Sequence, residues 1–174
     1  MLRLAAIGLV AVISAGVSAK AVMSLDRAVE GAGQMAPAQL RAVQAPGPAA
    51  ATGEPASVNK AADGHFWAEA TVNGRAVRFL VDTGASAVAL TREDARRLGI
   101  EPRDLNYTYQ VTTAAGQVRA AKVNLASVAV AGALVHDVDA LVIEKGLQTS
   151  LLGMTYLGRL SQFEATQTSL ILRP

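Results

Sequence analysis

The chain of 174 residues suffices for one ordinary domain, and its 51% apolar content is enough for a core. It holds no cysteine, which excludes disulfides, a thiol nucleophile and cysteine zinc sites. The formal net charge of +2 resides in residues 1–61, which leaves 62–174 balanced and without the basic excess that nucleic acid requires of a partner.

The opening "MLRLAAIGLVAVISAGVSAKAV" starts with an amine and Arg3 and then runs uncharged from Leu4 to Ala19. Residues 1–25 are expected to be a membrane-targeting segment. A helix of that uncharged run rises about 24 Å, short of the roughly 30 Å hydrocarbon core. With Lys20 snorkelling and the helix continuing to Leu25 the span becomes adequate. A retained anchor is the favoured reading and a cleaved signal peptide the alternative, because "VSA" and "AKA" offer small-residue cleavage sites. Either way the basic N-terminus stays cytoplasmic and the rest is exported, to the periplasmic side or by secretion.

Residues 26–61 are expected to form a flexible tether. Pro37, Pro46, Pro48 and Pro55 lie in its Ala- and Gly-rich part, which has no aromatic residue to bury. The domain is expected over 62–174. "HFWAEATVNGRAVRFLV" is two alternating runs around Asn73-Gly74, the pair suited to a type I′ hairpin turn. "TREDARRLG" predicts a short helix, with Thr91 and Asp94 as a capping box and Gly99 as its stop. Long strands follow, turning near Ala114 to Gly116 and near Ala131-Gly132, with Val123, Leu125, Val128, Val130, Leu141, Val142 and Ile143 as core by pattern. "SLLGMTYLGRL" predicts a strand end, a glycine and a brief helix, and "SLILRP" a terminal strand. The fold class is all-β, with one or two short helices.

The stretch "FLVDTGASAVAL" carries one aspartate out of an apolar run into a tight turn. Asp and Gly are ordinary turn residues, but the setting also fits catalysis. Peptide hydrolysis without metal or covalent intermediate needs one water held between two carboxylates that share a proton. Phe79, Leu80 and Val81 lower the dielectric around Asp82, Gly84 permits close backbone approach, and Thr83 and Ser86 supply orienting hydroxyls.

Asp82-Thr83-Gly84-Ala85-Ser86, apolar on both sides, resembles the active-site motif of retropepsin-like aspartic proteases, most closely their bacterial single-domain, membrane-anchored members. Leu151-Leu152-Gly153 matches the family's second motif, and Thr112 to Val118, with Ala115 and Gly116 at the tip, takes the place of the flap. The resemblance covers residues 62–174 and implies a closed, barrel-like domain in which Asp82 is catalytic, Thr83 braces the site and Ser86 bonds the outer oxygen of Asp82. Met154 departs from the charged residue common in viral relatives. No second DTG or DSG occurs, so the pair must come from two chains as a symmetric homodimer, with the terminal strand a candidate for intersubunit pairing.

His65 and His136 stand far apart in sequence, and no G-x-S-x-G motif occurs, so neither a metal site nor a serine hydrolase is expected. Phe66 and Trp67 are core and edge residues of the first hairpin. The expected function is an aspartic endopeptidase without cofactor, acting on exported or membrane-linked proteins. The alternative is a silent domain kept for peptide binding or dimerisation.

Overall fold

The computed structural model describes residues 49–113 and 116–174. The membrane-targeting reading of residues 1–25 therefore lies outside the described residues. Among the described residues no helix is long and apolar enough to cross a membrane.

The Asn73-Gly74 turn joins β2 (Trp67–Val72) to β3 (Arg75–Val81), and both turn residues take positive φ, 48° and 80°. This is the mirror-image turn expected from the dipeptide, because its twist matches the strands it connects. After β4 (Val88–Leu90) comes α1 (Arg92–Arg97), then a single 3-10 turn over Pro102–Asp104. Gly99 closes the helix at φ +84°, with Ile100 N donating to the Ala95 carbonyl at 2.9 Å. β5 (Tyr109–Thr113) and β6 (Gly116–Val130) form a hairpin where the flap is expected, with Thr113 opposite Gly116 in register. β7 (Ala133–Ile143) returns along β6 after the expected turn at Ala131-Gly132. Short β8 (Leu151–Leu152), α2 (Met154–Leu157), β9 (Gln162–Ala165) and β10 (Ser169–Arg173) complete the chain.

Seven strands form a sheet in the order β2-β3-β8-β4-β7-β6-β5. The C-terminal end of β6 also pairs with β2, Val72 opposite Val128, which closes the sheet into a barrel. The early part of β6 instead carries β5 on that edge. Inside sit Val72, Phe79, Leu90, Leu125, Val128 and Leu152, none measurably exposed. Leu125, Val128, Val130, Val142 and Ile143 are buried as patterned, whereas Val123 and Leu141 are only partly so. Phe66 packs against the core from its edge, and Trp67 lies half-buried beneath the Arg78 guanidinium, 4.6 Å from the ring centre.

Two expectations are corrected. Strand β1 (Ala56–Asn59) lies inside the stretch assigned to the tether, and Thr52 bridges to Leu134 before it. Composition misses this strand because its order comes from a distant partner: Ala56 and Val58 turn inward only where β10 supplies the ladder. Likewise β10 is not an open strand. It is the middle of a three-stranded sheet, β1-β10-β9, with both edges occupied within one chain.

Candidate active site

β3 delivers Asp82 to the mouth of the barrel, and β8 holds it there. Leu80 N donates to Ser150 O at 2.9 Å and Asp82 N to Leu152 O at 3.2 Å, so two parallel strands end side by side at the aspartate. The chain then turns sharply, Ala85 N donating to the Asp82 carbonyl at 3.2 Å. Gly84 N points into the turn and donates to Asp82 Oδ1 at 2.8 Å, which fixes one carboxylate oxygen. A β-carbon on Gly84 would stand only 3.1 Å from that same oxygen.

The second motif buttresses this turn from below. Met154 N donates to Ala85 O at 2.9 Å, and Thr155 Oγ1 accepts from Val88 N at 2.8 Å. Gly153 allows the approach, since a β-carbon there would meet the Ala87 carbonyl oxygen at 2.2 Å and that of Ala85 at 2.7 Å. Leu151 and Leu152 thus share one structure with Asp82, Gly84 and Ala85.

Asp82 is half-buried, while Thr83, Gly84 and Ser86 are exposed in the single chain. Ser86 makes no hydrogen bond to Asp82 among the described residues of the single chain, contrary to expectation; the contact on the carboxylate is that of the Gly84 amide with Oδ1. Thr83 is likewise open at the surface. Of the flap residues, Gly116 opens β6 at φ +105°, and Ala115 lies outside the described residues.

A cavity of about 490 Å³ opens beside Asp82. Val111 to Thr113 of β5 line it together with Ala87 and Ala89, and Leu141, Ile143, Leu147 and Leu151 give it an apolar wall. Asp82 is the one charged residue of the lining.

Sequence reasoning missed Ser150 and Thr155. Ser150 is fully buried and takes part in a network with Thr91 and Asp94. Asp94 was legible only as a helix cap. His65 sits in the turn before β2, its amide donating to Asp63 Oδ1 at 2.9 Å, whereas His136 pairs with Ser127 across β6 and β7.

Residues 68–159 match the family model described as gag-polyprotein putative aspartyl protease. The chain is 41% identical over 117 residues to an uncharacterized protein of Sinorhizobium sp., covering 67% of this chain and 50% of that protein. It is 41% identical over 115 residues to an uncharacterized protein of Rickettsia prowazekii (strain Madrid E), covering 66% of this chain and 49% of the other. The chain thus spans about half the length of these curated relatives. A crystal structure of a retropepsin-like aspartic protease from Rickettsia conorii superposes with a TM-score of 0.62 at 36% identity, over 71% of this chain and 93% of that one. With its closed barrel and its aspartate turn seated on Leu151-Leu152-Gly153, the chain belongs to the retropepsin-like aspartyl protease family.

Proposed function

We propose that the protein is an aspartic endopeptidase in which Asp82 of two identical chains forms the catalytic pair. The observation that carries this reading is the placement of Asp82, one oxygen held by Gly84 N at 2.8 Å, in the lining of an apolar cavity that β5 also lines. A single carboxylate cannot serve as acid and base at once. A second copy brings a like charge close enough for the pair to share a proton, so one oxygen takes a proton from the attacking water while the other carboxyl donates to the substrate carbonyl. Exposed Thr83 and Ser86 then face the partner chain, where Thr83 braces the two turns.

The substrate lies extended beneath the flap, its backbone paired like an added strand and its side chains in the apolar cavity. Since β10 is enclosed, strand pairing between subunits falls to an outer edge of the three-stranded sheet, such as that of β9. The exported, membrane-tethered location proposed from residues 1–25 directs the enzyme to proteins in the same compartment.

Asp82→Asn keeps the shape and removes the ionisable group. Incubated with denatured casein from pH 4 to 7, the full chain should cleave and the variant should not. Equal behaviour of the two would leave only a binding or dimerising domain. Sedimentation over a concentration series, in detergent, should show a dimer; a strictly monomeric active enzyme would overturn the shared pair.

A further inference from the structure

Ser150 is fully buried, and its hydroxyl stands between the two ends of the α1 cap. In an ordinary capping box the acidic side chain at the third helical position reaches back to the amide of the capping residue. Here the third position is Asp94, one methylene shorter than the usual glutamate, and the reciprocal bond is not made. Instead Thr91 N donates to Ser150 Oγ at 3.0 Å, and Ser150 Oγ donates to Asp94 Oδ2 at 2.6 Å. The same carboxylate oxygen accepts from Thr91 Oγ1 at 3.0 Å, and Thr91 Oγ1 accepts from Asp94 N at 3.1 Å. Each hydroxyl is used once as donor and once as acceptor, so both are satisfied, while Asp94 Oδ1 faces outward and accepts from the exposed Arg97 Nη1 at 3.4 Å.

Ser150 also immediately precedes β8. Its carbonyl receives the Leu80 amide at 2.9 Å, and two residues on Leu152 receives the amide of Asp82. The helix cap and the aspartate turn are therefore joined through one serine.

We propose that Asp94, acting through Ser150, is a positioning residue that sets the height of β8 and with it the placement of Asp82 against its counterpart in the partner chain. The assignment rests on the protease reading above. A pair that shares a proton tolerates little displacement, because both the proton sharing and the hold on water depend on the separation of the carboxylates. A loosened β8 lets Asp82 drift while Leu141, Ile143 and Leu147 of the cavity wall keep their places and only Leu151 moves with it, so turnover suffers more than binding.

Three variants of the full chain separate this role from simple stability. Ser150→Ala removes the bridge. Asp94→Glu supplies the missing methylene, so the glutamate closes the box on Thr91 N directly, preserving the helix cap while releasing Ser150. Asp94→Asn keeps an oxygen that accepts from both hydroxyls. With a fluorogenic peptide, Ser150→Ala and Asp94→Glu should lower kcat about tenfold with KM within about twofold, and Asp94→Asn should stay near wild type. The bell-shaped pH profile should narrow in the first two, because carboxylates held further apart have less separated apparent pKa values. The melting temperature of Asp94→Glu should fall by a few degrees, because the buried Ser150 hydroxyl loses its acceptor, while the variant stays folded at the assay temperature. Should Ser150→Ala fail to fold, the two Asp94 variants carry the comparison.

Wild-type kcat and pH profile in Asp94→Glu would overturn the proposal, as would a loss in both Asp94 variants that follows the folded fraction alone. Hydrogen exchange at the Leu80 and Asp82 amides reads the same tie without activity. It should quicken in Ser150→Ala and Asp94→Glu but not in Asp94→Asn. If the wild type cleaves nothing, the protease reading fails while quickened exchange still upholds the tie; unchanged exchange refutes the tie itself.

Discussion

Gly153 passes so close to Ala87 that a β-carbon on the glycine would lie 2.2 Å from the Ala87 carbonyl oxygen. This approach locks the second motif beneath the aspartate turn, because backbone atoms on both sides leave nothing flexible to yield. Gly153→Ala must push β8 and α2 away from residues 85–88. The cost should be about 3 kcal/mol by overpacking, measured by denaturant unfolding, and cleavage should be lost with it. A variant of wild-type stability would show that the turn and the motif separate freely.

Tyr156 is fully buried in α2 and donates to Ala133 O at 2.8 Å. Burial pushes its phenol well above the usual 10.0, against a smaller opposing effect of the Val130 backbone. The folded state thus keeps this proton where the unfolded chain releases it. Stability from this group is complete below about pH 10 and falls as pH rises above it, since the folded state then binds more protons. Tyr156→Phe should flatten that alkaline slope in unfolding experiments between pH 9 and pH 11. At neutral pH it should cost about 1 kcal/mol for the hydrogen bond lost.

The segment before β1 is held by contacts that composition does not announce. Gly53 has φ +113°, and a β-carbon there would meet Gly132 O at 2.0 Å. Arg159 donates to Ala49 O and to His136 O, and Thr52 N and O pair with Leu134. Gly53→Ala should free this strap, so thermolysin should cut between residues 49 and 55 faster than in wild type while the barrel survives. Unchanged cleavage would mean that the strap is not a fastened part of the domain.

Ala89 in β4 is nearly buried, 8% exposed, and forms part of the cavity lining beside Asp82. Ala89→Phe fills that space. For the proposed protease, kcat/KM should fall at least about tenfold for peptides with a bulky apolar residue beside the cut bond. Peptides with alanine there should lose less. A uniform loss across both would move the substrate out of this cavity.

Local chemistry alone determined much of this protein. Asn73-Gly74 specified its turn because few dipeptides place two successive residues at positive φ, and Gly99 ended its helix for the same steric reason. Alternation marked β2, β3, β6 and β7, since one face of each strand must be buried. Asp82 stood out because a carboxylate bounded by apolar runs is costly unless it works. Only the tertiary structure decided that β10 lies between β1 and β9, that residues 52–60 join the domain, and that Ser150 and Thr155 serve the site. Their partners are remote: Ser150 lies 59 residues from Thr91 and Thr155 lies 67 from Val88. A hydroxyl in the sequence carries no sign of which distant amide it will meet; that is set when the closing barrel brings β3, β4 and β8 together and every buried donor must find an acceptor.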